Sequence, residues 1–165
     1  MRLADLVRPH KRIRPEPELA EPEQTASTLF AMMIKRGRYA EVNSVIEEKF
    51  SVRLRAFTAK DTKVFHFRRG LTPSQIKALM RLEGYKPATI EHLLAYCAEH
   101  PDVRKKYFLA APGATCRNAI GEPCIVEFQV DSHCERSLVL SHINAHNYRP
   151  TQTGYLGVRI QGRRR

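Results

Sequence analysis

Four cysteines and seven histidines carry the broadest chemistry in this 165-residue chain, and their spacing decides how much of it can be assembled. Cys97 and His100 are three apart and share a helix face, while Cys116 and Cys124 flank a hairpin around Gly121. A structural zinc needs four converging ligands, and its usual sign is a pair of short Cys or His spacings. The spacing here is irregular, so no metal ligand is assigned. Cys97 completes an apolar stripe, and with Cys116 it reads as a small core hydrophobe. Asp131-Ser132-His133-Cys134 holds the residue types of nucleophilic catalysis, but adjacent residues point in different directions and triads are assembled from distant positions. It reads as a polar turn. His133, Ser141-His142 and His146 near Tyr148 leave one enzymatic reading, an acid-base or metal site at the His133 to His146 end of a sheet. There is no Walker-type phosphate loop, no Gly-x-Gly-x-x-Gly and no His-Glu-x-x-His helix, so no catalytic residue and no cofactor is assigned.

Positive charge is the stronger signal. Lysine and arginine total 28 against 17 acidic residues, a formal charge of +11. Such an excess favours polyanions, because each neutralised phosphate releases condensed counterions. Arg53, Arg55, His66, Arg68 and Arg69 make a candidate phosphate-tracking sheet face, with Phe57 or Tyr107 nearby for stacking. Arg8 to Arg14 and Arg163, Arg164 and Arg165 form two basic arms suited to phosphate contact without base readout. The leading expectation is therefore a non-enzymatic module binding the RNA or DNA backbone. The alternative partner for the same charge is an acidic protein surface.

The elements that must position these groups follow from periodicity. Residues 1–24 alternate basic and acidic blocks among prolines and read as a flexible tail; residues 25–161 read as one domain, and 162–165 as a basic tail. A helix after Thr25 or Ser27 presents Leu29, Phe30, Met33 and Ile34 and stops at Gly37; a second runs from about Tyr39 to Phe50. Val52 to Ala56 alternates strictly and is expected to pair as a hairpin with Lys63 to Arg68. Thr72-Pro73-Ser74-Gln75 is a capping box opening a helix whose stripe is Ile76, Leu79 and Met80 and whose end is Gly84. Another helix begins near Thr89, carries Ile90, Leu93, Leu94 and Cys97, and ends before Pro101. The second of this pair lacks an exposed row of Arg, Asn or Gln, so helix-turn-helix is not adopted. Strands are expected at 108–111, 124–130, 137–143 and 155–160. The fold class is α+β: N-terminal helices and a β-hairpin, a central helix pair, then a mainly antiparallel C-terminal sheet with the core in the Thr72 to Ile160 region.

No run approaches the roughly 18 apolar residues of a membrane span, and the first residues lack the apolar stretch of a secretory signal. With sparse cysteines this favours reduced thiols and a cytoplasmic location.

The stretches Phe65-His66-Phe67, Gly84-Tyr85-Lys86-Pro87-Ala88-Thr89, Glu91-His92-Leu93-Leu94-Ala95, His100-Pro101, Ala110-Ala111-Pro112-Gly113, Arg136-Ser137-Leu138 and Tyr155-Leu156-Gly157-Val158-Arg159 occur in that order. In these the chain resembles a family of small uncharacterised bacterial proteins. The resemblance implies a shared α+β domain and no activity, ligand or catalytic residue. Two departures stand out: Cys116 replaces the tryptophan usual there, and the middle strands are basic where relatives are acidic.

Overall fold

Thr72 and Gln75 show how closely local sequence dictates structure here. In the computed structural model, which describes residues 22–52, 61–101, 108–143 and 153–160, the Gln75 amide N–H donates to Thr72 Oγ1 (3.3 Å) and Gln75 Oε1 accepts from the Thr72 amide (2.9 Å). This reciprocal cap opens helix α3, Pro73–Leu82, with Pro73 at its start. Gly84 follows at φ +81°, the left-handed conformation that ends the helix. Only Ile76 and Met80 of the expected stripe are buried; Leu79 is 37% exposed.

The helices before it are α1, Pro22–Gly37, and α2, Ser44–Lys49. The first starts earlier than expected and the second is much shorter. Asn43 accounts for the shortening, because its side chain accepts from the Val45 amide and caps α2 there. Upstream, Glu41–Val42 forms strand β1, with the Ala40 amide donating to the Arg136 carbonyl (2.7 Å) and the Asn43 amide to the Leu138 carbonyl (2.9 Å). Backbone pairing to a distant strand has overridden the local apolar pattern.

The remaining elements are β2 (Thr62–His66), β3 (Tyr85–Pro87), α4 (Ile90–Glu99), β4 (Phe108–Arg117), β5 (Pro123–Val130), β6 (Arg136–His142) and β7 (Thr153–Arg159). They confirm the α+β class. The sheet is mixed, in the order β1-β6-β5-β4-β7-β2, with β3 also on β7. β4, β5 and β6 are the expected antiparallel meander. β7 instead lies parallel to β4 and antiparallel to β2, between them. β2 pairs with β7 and stops at His66, short of the expected Arg68. Its expected partner from Arg53 to Ala56 lies outside the described residues. The two central helices are also not a helix-turn-helix, because their connection is strand β3, paired to β7 through Tyr85, Lys86 and Pro87.

β4 pairs with β7 at residues 153–155, and β3 takes over the same edge at 157–159. At the junction β4 bulges between Ala111 and Thr115, and the Gly113 amide donates to the Ala88 carbonyl (2.8 Å). A Cβ on Gly113 would stand 2.7 Å from that oxygen, so only glycine fits this crossing.

Helices cover both sheet faces. Phe30 of α1, Ile46 of α2 and Ile90, Leu93, Leu94 and Cys97 of α4 pack on one face against Leu109, Val126, Phe128, Leu138 and Leu156. Ile76 and Met80 of α3 pack on the other against Phe65, Ala110, Ile125 and Tyr155. The core thus begins well before Thr72 and includes Phe30, Ile46 and Val52. No helix among the described residues is long and apolar enough to cross a membrane.

At the start of α4 the Thr89 amide donates to His92 Nδ1 (3.2 Å), a bond that requires an unprotonated ring nitrogen. Burial lowers the His92 pKa, Lys86 adds to the effect and Glu91 opposes it. The unfolded chain therefore binds a proton that the folded chain refuses. This contribution to stability is complete above the ordinary histidine pKa of about 6.5 and is lost as pH falls through the lower folded value. Thermal unfolding from pH 7.5 downward is expected to show a steeper acid loss in the parent than in His92→Gln; identical slopes would remove His92 as the cause.

Candidate nucleic-acid interface

Of the residues that sequence assigned to phosphate contact, His66, Arg68 and Arg69 are among the described residues. Arg53, Arg55 and Arg163 to Arg165 lie outside the described residues. His66 is exposed at the end of β2, on the side of Thr62 and Val64, opposite Phe65. Arg68 and Arg69 are exposed in the bend that follows, so they do not extend the strand face. The alternation that suggested a longer strand persists through Phe67, but the backbone turns away at Arg68.

A different cluster forms around β7. Along the α3 side of the sheet, the rings of Tyr155 and Phe67 lie 5.6 Å apart, Phe67 and Phe65 stack at 6.4 Å, and Phe65 meets Tyr85 edge-on at 5.4 Å. The row crosses from β2 over β7 to β3. Gly157 makes the crossing possible, because a Cβ there would sit 2.8 Å from the Phe65 ring and 3.3 Å from Tyr85 Cβ. Phe65 and Tyr155 are buried, whereas Phe67 and Tyr85 are half-buried.

Cations frame the accessible end of this row. Lys63 Nζ stands 4.8 Å from the Phe65 ring centre and 5.7 Å from that of Tyr85. The exposed Arg159 guanidinium lies 5.6 Å from the Tyr85 ring and donates to the Tyr85 hydroxyl (3.2 Å). Lys63 also pairs with Glu83, the only lysine or arginine among the described residues that pairs with a carboxylate. Arg159, Arg68 and Arg69 thus keep their charge available. Alternation places Lys63 and Phe65 on one side of β2, and Gly157 and Arg159 on the same side of β7. Sequence reasoning missed Lys63, Tyr85 and Arg159 as a unit because they come from three strands.

The other chemical candidates resolve differently. Asp131 Oδ1 accepts from the His133 and Glu135 amides (2.8 Å each), so Asp131 to Cys134 is the expected polar turn. His133 in that turn and His142 at the far end of β6 are separated by the strand's length, and His146 lies outside the described residues. The structure therefore does not bring His133 and His142 together. Burial pushes the Cys97 thiol up to about 12, in keeping with a core position. Cys116 is half-buried beside a cleft and is not a core residue. Among the described residues no group of three or more His, Cys, Asp or Glu could hold a metal ion. The α3 side of the sheet also buries Glu127, next to Gln129, whose amide donates to Glu127 Oε1 (3.3 Å). Its only trace in sequence is an acidic residue inside the apolar strand Cys124 to Val130. Comparison of the chain with family models, curated proteins and solved structures returns no match.

Proposed function

We propose that the chain binds single-stranded RNA or DNA, with phosphates against Lys63, Arg68, Arg69 and Arg159 and a base against Tyr85 or Phe67. The observation that carries this reading is the half-buried Tyr85 ring flanked by Lys63 and Arg159 at the end of an aromatic row. Non-specific single-strand binders combine such a platform with a cationic track, since every base has a face that stacks. The formal charge of +11 supplies the long-range attraction. The basic arms outside the described residues would add phosphate contacts.

The test is fluorescence anisotropy with labelled oligo-dT and oligo-U across a salt series. Replacing Lys63, Arg68, Arg69 and Arg159 by Gln is expected to weaken binding to both and to reduce the slope of log affinity against log salt by about 0.7 per lost contact. Tyr85→Ala, which removes no charge, is expected to cost about 1–3 kcal/mol per base stacked there. Unchanged affinity and slope in the quadruple variant would reject the interface, and absence of binding at low salt would reject the function.

A further inference from the structure

At the proposed interface one carboxylate stands where a phosphate would meet only cations. Glu83, the C-terminal cap residue of α3, pairs through its Oε2 with Lys63. Lys63 Nζ lies in the notch between two rings that meet edge-on, 4.8 Å from the centre of Phe65 and 5.7 Å from that of Tyr85. The pair therefore borders the ring against which a base would stack. Neither helix nor ion-pair energetics accounts for Glu83. A negative charge at a helix C-terminus opposes the helix dipole, and an ion pair whose side chains are 44% and 52% exposed adds little to stability. Backbone binding does not account for it either, because the carboxylate offsets the charge that Lys63 would offer a phosphate. An edge of the stacked base is the remaining partner for a carboxylate in this position.

We propose that the Lys63–Glu83 pair reads the Watson–Crick edge of the base stacked on Tyr85 and selects guanine, an inference that rests on the single-strand reading above. An ionised carboxylate only accepts hydrogen bonds, through two oxygens side by side, and an ammonium only donates. Guanine alone among the bases presents two neighbouring donors, N1–H and the 2-amino group, next to an acceptor, O6. O6 accepts from Lys63, N1–H donates to the carboxylate oxygen nearer Lys63, and the amino group donates to the other. That order matches the pairing of Lys63 with Glu83 Oε2. Uracil and thymine flank a single N–H with carbonyls on both sides, so one carbonyl meets the second carboxylate oxygen. Cytosine and adenine set one amino group beside an accepting ring nitrogen, which gives the carboxylate one bond at most. Stacking supplies the affinity that all bases share, and the charged pair supplies the difference between them.

The experiment uses the full chain and short labelled oligo-U strands that carry one guanosine, inosine, adenosine or cytidine at the centre, read by fluorescence anisotropy. The guanosine strand is expected to bind about tenfold tighter than the adenosine, cytidine and plain strands, within the range for a bidentate base contact. Adenosine controls for the stacking of a purine. Inosine keeps N1–H and O6 but lacks the 2-amino group, so it is expected to recover only part of the gain, and this comparison needs no protein variant. Glu83→Gln is expected to lose most of the guanine preference and, by releasing Lys63 for phosphate, to tighten binding of plain oligo-U. A salt bridge that merely holds the fold would instead change all strands alike. Equal affinities for the guanosine, inosine and adenosine strands would overturn guanine recognition while leaving single-strand binding in place, and a preference that survives Glu83→Gln would overturn the role of the pair. Absence of binding by every strand would reject the interface itself and this inference with it.

Discussion

Replacing Phe128 by Ala is expected to lower stability by about 3–5 kcal/mol, the range for removing a large aromatic side chain from a core. Phe128 is completely buried in the middle of β5, opposite Leu109 on β4 and Leu138 on β6. The Tyr39 ring meets it edge-on at 5.9 Å, and the Arg136 guanidinium lies 4.9 Å over its face while also donating to the Cys97 carbonyl. The substitution therefore removes apolar burial and the surface on which a half-buried arginine rests. For a chain of this size each kcal/mol moves the midpoint by about 2–4 °C, so the melting temperature should fall by roughly 6–20 °C. Calorimetry of the two proteins is the measurement. A change below about 1 kcal/mol would show that α1, α4 and the sheet are not packed around this ring.

Gly157→Val is expected to destabilise by about 1–3 kcal/mol or more and to weaken single-strand binding without altering any charge. Its cause is steric. The new Cβ would enter the Phe65 ring at 2.8 Å and crowd Tyr85, while neighbouring Leu156 and Val158 hold the strand against the opposite helices. Relief requires Phe65 to move, which breaks its edge contact with Tyr85 and shifts the platform that Lys63 and Arg159 flank. Denaturant titration reads the first effect and oligonucleotide anisotropy the second. Full stability with unchanged binding would mean that the aromatic row accommodates a branched side chain and does not depend on close approach.

How much of this was legible in sequence depends on the distance over which each feature is decided. The box at Thr72 and Gln75, the glycine end at Gly84 and the strand from Cys124 to Val130 are local, and pattern and capping chemistry were sufficient. The short strand at Glu41 was hidden because its apolar spacing also suits a helix, and only the carbonyls of Arg136 and Leu138 select between them. β7 was legible as a strand, but its place between β4 and β2 is set by pairing with residues far away in sequence. Charge was legible as a total but not as a surface: Arg68 looked like a strand residue and Arg159 like the end of one. Tyr85, 74 positions from Arg159 in sequence, reaches it because β3 pairs with β7. Leu79 fits the helical stripe by spacing, yet it lies at the margin of α3 and stays open to solvent.

The position of β7 also governs how a chain leaving the ribosome reaches this structure. Residues 41–142 contain the whole β1-β6-β5-β4 portion of the sheet, and β2 is synthesised among them without its partner. Until residues 153–159 emerge, β4 and β2 each present an open row of backbone donors and acceptors, the template on which chains add to one another. The last described strand to be made is the one that joins the two parts, and its contact with β2 spans about 90 positions. Closing so long a loop slows folding, so nascent chains spend longest in the state with both edges exposed. A chain interrupted before Thr153 lacks the strand on which β4, β3 and β2 all pair, and its sheet stays divided along the line that β7 would fill.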